Sequence, residues 1–142
     1  MRFVLDASVT LSWFLKDAAA REEAYAFAVL SSFRLSETVA VVPMTWGLEI
    51  ANVIARCESK SQVTEAQSES FLALLQGVPI EVDPHTFTQV LSETLQLARR
   101  YRLSSYDASY LELAMREAVP IATLDEDLRR AATKAGVKLF KP

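Results

Sequence analysis

Phe3-Val4-Leu5-Asp6-Ala7-Ser8-Val9 is the stretch on which the fold turns. A short apolar run ends on a carboxylate, and a helix-compatible segment, Ala7 to Leu15, follows at once. An unbroken run of this kind suits a strand covered on both faces, as in a parallel sheet, better than a half-exposed one. The pattern recurs down the chain. Val39-Ala-Val-Val42 is β-branched and stops at Pro43. Pro79-Ile-Glu-Val82, Pro120-Ile-Ala-Thr123 and Val137-Lys-Leu-Phe140 read as further strands.

Helices are expected between them, over 18–33, 45–59, 64–76, from Asp83-Pro84 to about Tyr101, from Ser104 to about Ala118, and over 126–135. Their ends carry stop and start chemistry. Thr45 stands at an N-cap position, Thr64-Glu-Ala-Gln67 has the capping-box pattern, Gly77 ends a helix, and Asp83-Pro84 pairs a cap with a first-turn proline. Strands alternating with helices predict an α/β fold, a parallel sheet with helices on both faces, in one domain over 1–142. In such sheets ligands lie beyond the carboxyl ends of the strands.

Composition narrows the chemistry. The chain has 142 residues, 51% hydrophobic and 23% charged, with one histidine and one cysteine, His85 and Cys57. That rules out wholesale disorder, an internal disulfide and a Cys/His zinc site. No apolar run approaches the ~20 residues of a membrane span, and Asp6 interrupts the N-terminus too early for a signal peptide. A cytoplasmic protein with no membrane contact is expected. Fifteen basic and eighteen acidic residues give a net charge of −3, which argues against nucleic-acid binding by bulk charge. A polyanionic ligand would need a local basic surface, a metal, or both.

Four acids stand out. Asp6 follows the first strand and Asp125 follows the fourth; each also fits an N-cap of the next helix. On the helix from Ser104, Asp107, Tyr110, Leu111, Ala114 and Ala118 form one apolar stripe, with Ser109, Glu112 and Arg116 opposite. A carboxylate inside that stripe is paired, metal-bound, or part of a capping box with Ser104. Glu49 edges the stripe Trp46, Ile50, Val53, Cys57, beside Asn52 and Arg56. Together the four acids fall at strand ends or helix first turns. Gathered carboxylates repel unless a cation neutralises them, and Mg²⁺ or Mn²⁺ suits an all-oxygen set. Such a centre activates water against a phosphodiester. Ser8 and Thr123 are candidates to orient its ligands.

The segments Phe3-Val-Leu-Asp6-Ala-Ser8-Val, Leu48-Glu49-Ile-Ala-Asn52, Tyr106-Asp107-Ala-Ser-Tyr-Leu-Glu-Leu-Ala114 and Ala122-Thr123-Leu-Asp125, in that order, resemble the PIN domain, and within it the VapC-like toxins of toxin–antitoxin pairs. The resemblance implies a three-layer sandwich with a twisted parallel sheet of about four to five strands. It also implies a Mg²⁺- or Mn²⁺-dependent ribonuclease. It maps the catalytic and metal-binding acids onto Asp6, Glu49, Asp107 and Asp125, and the supporting polar positions onto Ser8, Asn52 and Thr123, with Asp127 a further acid. It further implies homodimers and a small antitoxin whose tail covers the site.

Arg102, Arg129 and Arg130 are candidates to hold RNA phosphates, while Arg99 and Arg100 read as solvated charges near a helix end. Trp13, Phe14 and Tyr25 read mainly as core. Two other functions compete. A non-catalytic PIN-like module binding RNA or a partner would have no need of four repelling acids. An aspartyl-nucleophile phosphatase would want an acid where Ser8 stands.

Overall fold

The computed structural model describes residues 1–35 and 37–142. Four strands, β1 (Arg2–Leu5), β2 (Val39–Val42), β3 (Ile80–Val82) and β4 (Ile121–Ala122), form one parallel sheet in the order β3-β2-β1-β4. Register is set by Phe3 opposite Ala40, Ala40 opposite Ile80, and Leu5 opposite Ala122. The helices are α1 (Ala7–Ser12), α2 (Ala20–Ser32), α3 (Trp46–Ser59), α4 (Glu65–Gln76), α5 (Thr86–Gln89), α6 (Leu95–Tyr101), α7 (Ser105–Glu117) and α8 (Glu126–Lys134). Among the described residues, no helix is long and apolar enough to cross a membrane.

The apolar run of β1 is buried on both sides, because period-two alternation sends its side chains to opposite faces. Phe3 and Leu5 join Val9, Ala26, Val29, Ala40, Val42 and Phe140 on one face. Val4 joins Val41, Ile121 and the inward sides of α7 and α8 on the other. Each such side chain contributes roughly 1.5–3 kcal/mol by leaving water. A smaller core, Ala7, Ile50, Ile54 and Phe71, seats α1 on α3 and α4. Trp13 and Tyr25 pack on the second core, where their polar atoms donate to the Ala26 and Phe140 carbonyls, and Phe14 stacks on Phe71.

Several expectations need correction. The strand expected over 137–140 is reduced to a single parallel bridge, Leu139 to Ile121, although Phe140 still donates to the Ile121 carbonyl. Thr45 occupies the N-cap of α3 but adopts helical backbone angles, so its hydroxyl caps nothing. The Asp83-Pro84 helix begins only at Thr86, and a π-helical turn, Val90–Thr94, separates α5 from α6. A π turn adds one residue without changing composition, so periodicity does not betray it.

Asp83 is instead buried and receives Thr86 and the Arg116 guanidinium, the latter also gripping Glu112. On the side of α7 opposite its apolar stripe, Ser109 and Glu112 are buried too. By contrast the capping box of Thr64 and Gln67 forms in full, and Gly77 caps α4.

Candidate active site

The strand order reverses between β1 and β4: the chain steps from β1 to β2 to β3, then returns to the far side of β1. At such a switch point the connections leave in opposite directions and open a crevice at the carboxyl edge of the sheet. Asp6 leaves β1 there, and Thr123 and Asp125 leave β4 beside it.

Asp6 sits at the N-cap of α1 with extended backbone angles, yet its side chain caps no amide. Its Oδ2 receives two hydroxyls instead, from Ser8 at 2.5 Å and Thr123 at 2.6 Å. The hydroxyls are themselves fixed: Ser8 Oγ accepts the Leu124 amide at 3.0 Å, and Thr123 Oγ1 accepts the Asp125 amide at 3.0 Å. The ends of β1 and β4 are thus tied across the crevice through one carboxylate. Burial pushes the Asp6 carboxyl upward, the two hydroxyls oppose this, and the Asp125 charge adds to the rise.

Glu49 projects from the first turn of α3. Its Oε2 accepts the Tyr110 hydroxyl at 3.1 Å, while Oε1 is buried with no partner. Burial raises its carboxyl to about 7; the Tyr110 hydrogen bond works against this, and the Asp6 and Asp107 charges reinforce it. Tyr110 is wholly buried, and its phenol is driven upward by burial and by the Asp6 and Glu49 charges.

Asp107 lies in the first turn of α7, where Ser104 accepts its amide at 3.1 Å. The reciprocal half of a capping box is not made, so its half-buried carboxylate remains available to the crevice. Burial, then the Asp125 and Asp6 charges, raise it to about 6. Asp125 serves locally as well: its Oδ1 accepts the Leu128 amide at 2.8 Å and caps α8. The second oxygen takes no part in that cap. The four acids of the sequence analysis are therefore near one another: Asp6 feels the charge of Asp125, Glu49 those of Asp6 and Asp107, and Asp107 those of Asp125 and Asp6.

A PIN domain model matches residues 3–134, nearly the whole chain. The chain belongs to the PIN domain family. PIN domains are a nuclease superfamily, which places this chain among the phosphodiester hydrolases at that coarse level. The crystal structure of PAE2754 from Pyrobaculum aerophilum superposes on 92% of this chain and 84% of that one, with a TM-score of 0.64 and 17% identity, a likeness of fold. No curated protein matches the sequence.

Asn52 is exposed, one turn along α3 from Glu49. Asp127 is exposed and paired with Arg130 at 3.0 Å, though its charge still reaches Asp107. The Arg129 charge acts on the Tyr25 phenol. Arg130, but not Arg129, lines a surface cleft with Arg102.

PIN nucleases characteristically work with a divalent metal, so the donor set bears testing against one. Every candidate ligand is a carboxylate oxygen, and Glu49 Oε1 is a buried acceptor without a donor. Among the described residues, no three His, Cys, Asp or Glu side chains converge into a ready-made cage. Carboxylate oxygens together with water are the donors that Mg²⁺ takes. The group fits the residues.

One participant escapes sequence reasoning. In the α7 stripe Tyr110 reads simply as a core aromatic. The signal is its hydroxyl, one turn beyond Asp107 in an otherwise apolar row, since a buried phenol requires a partner.

Proposed function

We propose that this PIN domain is a Mg²⁺- or Mn²⁺-dependent endoribonuclease acting as the toxin of a toxin–antitoxin pair, a cytoplasmic homodimer held in check by a small antitoxin. One observation carries the catalytic part. Acids from four separate segments stand at helix starts, near enough for Asp6, Glu49 and Asp107 to feel neighbouring charges, and burial followed by those charges pushes Glu49 and Asp107 above the ordinary carboxylate range. Asp6 and Asp125 also serve the fold, but Glu49 with its orphaned Oε1 and Asp107 are costs that a binding module has no reason to carry.

Asp6, Asp107, Asp125 and Glu49 would hold the metal, which when bound supplies an acidified water and charge stabilisation at the phosphoryl oxygen. The protein's own residues prepare that site. Ser8 and Thr123 fix the Asp6 carboxylate, and the cap at Leu128 fixes Asp125. Tyr110 orients Glu49 through Oε2 and leaves Oε1 directed elsewhere. Glu49, poised near neutral pH, must give up its proton before it can hold the metal. The toxin role and the antitoxin rest on the likeness of the four motifs to VapC-like proteins.

The test is cleavage of labelled single-stranded RNA by the purified protein with Mg²⁺ or Mn²⁺, in excess EDTA, and in Asp6→Asn and Asp107→Asn variants. Cleavage confined to the metal-containing wild type, with both variants still folded, is the expected result. Undiminished cleavage in EDTA would overturn the metal-dependent mechanism. Expression of wild type but not Asp6→Asn should arrest growth.

A further inference from the structure

Beside the acidic crevice lies a second feature of opposite sign. Arg100, Arg102, Arg130 and Lys134 line a cleft of about 390 Å³ between the end of α6 and the outer side of α8, with Tyr101 in its wall. Its one acid, Asp127, is engaged by Arg130. Four cations against a single carboxylate is a marked local excess on a chain whose net charge is −3.

Position links the cleft to the crevice. Arg102 is two residues from Ser104, the N-cap of the helix that carries Asp107. Asp127 is two residues past Asp125, and its charge is felt at Asp107.

The backbone at Arg102 is a separate sign. It ends α6 in the left-handed region, φ 54° and ψ 44°, where glycine is the residue usually favoured. An arginine there forgoes that ease, and its exposed guanidinium faces the cleft. Arg100 lies over the Tyr101 ring, 5.5 Å from its centre, which presents a flat cationic surface beside the cleft wall.

We propose that this cleft is a phosphate-binding subsite that grips single-stranded RNA next to the bond cut in the acidic crevice. Arg102 and Lys134 contact backbone phosphates, and the Arg100–Tyr101 pair offers a face on which a base can stack. The inference rests on the nuclease reading for the meaning of the neighbouring crevice, but it is measured without catalysis. It assigns Arg100 to substrate, against its expected role as a merely solvated charge.

The experiment uses the whole protein in EDTA and a fluorescein-labelled single-stranded RNA, with affinity measured across a salt series. Arg102→Gly and Lys134→Ala are tested singly and together. Lys60→Ala serves as control, because Lys60 lies eleven residues beyond Glu49, ~16 Å along α3 at 1.5 Å per residue.

Removing either cation from the RNA backbone should flatten the plot of log affinity against log salt by about 0.7, so the double variant should flatten it by about 1.4. Arg102→Gly should raise the melting temperature while lowering RNA affinity, which separates binding from folding. An unaltered salt slope in the double variant overturns the subsite, even if wild type cleaves. Equal displacement of RNA by polyglutamate would reassign the cleft to an acidic protein segment and also overturn it. Cleft-dependent RNA binding without metal-dependent cleavage would uphold the subsite while defeating the nuclease reading.

Discussion

Glu49→Gln should make the metal-free protein more stable and the enzyme inactive. The Glu49 carboxyl lies at about 7 against 4.5 for the free side chain, through burial first and then the Asp6 and Asp107 charges, with Tyr110 opposing. At 1.36 kcal/mol per pK unit that gap is ~3 kcal/mol at face value. The side chain is only about half buried, and solvent screening reduces this to about 1 kcal/mol. A glutamine keeps an acceptor for the Tyr110 hydroxyl and replaces the orphaned Oε1 with a donor facing acidic neighbours.

Because the native value is above the unfolded one, the native state binds the extra proton, and wild-type stability falls as pH rises from about 4.5 to about 7. The gain from Glu49→Gln is therefore full at pH 8 and shrinks toward pH 5. For a chain of this length, about 1 kcal/mol corresponds to a melting shift of roughly 3–5 °C. Thermal unfolding in EDTA at the two pH values measures it. A Glu49→Gln protein that melts at or below wild type at pH 8 would refute the claim that an uncompensated charge resides there.

Three further outcomes follow from the same geometry. Thr123→Val removes a donor to Asp6 and the acceptor of the Asp125 amide; it should cost about 1–3 kcal/mol in denaturant unfolding and slow RNA cleavage roughly 10–100-fold. Tyr110→Phe should cost about 1 kcal/mol and, by removing the hydrogen bond that holds the Glu49 carboxyl down, move the acid limb of the rate–pH profile to higher pH; an unmoved limb would contradict the role given to Tyr110. Arg116→Met strips the buried Asp83 and Glu112 of their partner and should destabilise by about 3–5 kcal/mol near neutral pH. Burial raises the Asp83 carboxyl, but the Arg116 and Thr86 hydrogen bonds outweigh it and the net direction is down. That stabilisation is present above the unfolded value and lost as pH falls through the folded one, so the gap between Arg116→Met and wild type should narrow on acidification.

What the sequence disclosed and what it hid divide along a physical line. Local chemistry was legible: the buried run of β1, the Thr64 capping box, and the placement of Asp6 and Asp125 at strand exits all follow from nearest-neighbour rules. Features set by residues distant in sequence were not. The buried Glu112 is compensated by Arg116, which also reaches Asp83 across 33 positions. The near absence of a fifth strand reflects how little of 137–140 meets β4, itself only two residues long. The separation of Arg129 from Arg130 is a matter of about 100° around α8, invisible until the helix is seated on its neighbours.

Helix cap and site ligand, the two roles open to each acid, turn out not to exclude one another. All four sit where a helix begins: Asp6 and Asp125 at N-caps, Glu49 and Asp107 in first turns. Parallel topology makes this unavoidable, because helix N-termini gather at the carboxyl edge of the sheet. The positive end of each helix offsets a nearby carboxylate by typically about 0.3–1 kcal/mol, which helps the fold tolerate the cluster. It does not cancel the cost of burial and of the neighbouring charges, since these keep Glu49 and Asp107 displaced to about 7 and about 6. The helix dipoles suffice to assemble the acids but not to restore their ordinary acidity. That remaining deficit is what a bound dication would supply, so wild-type melting temperature should rise with added Mg²⁺ more steeply at pH 8 than at pH 6.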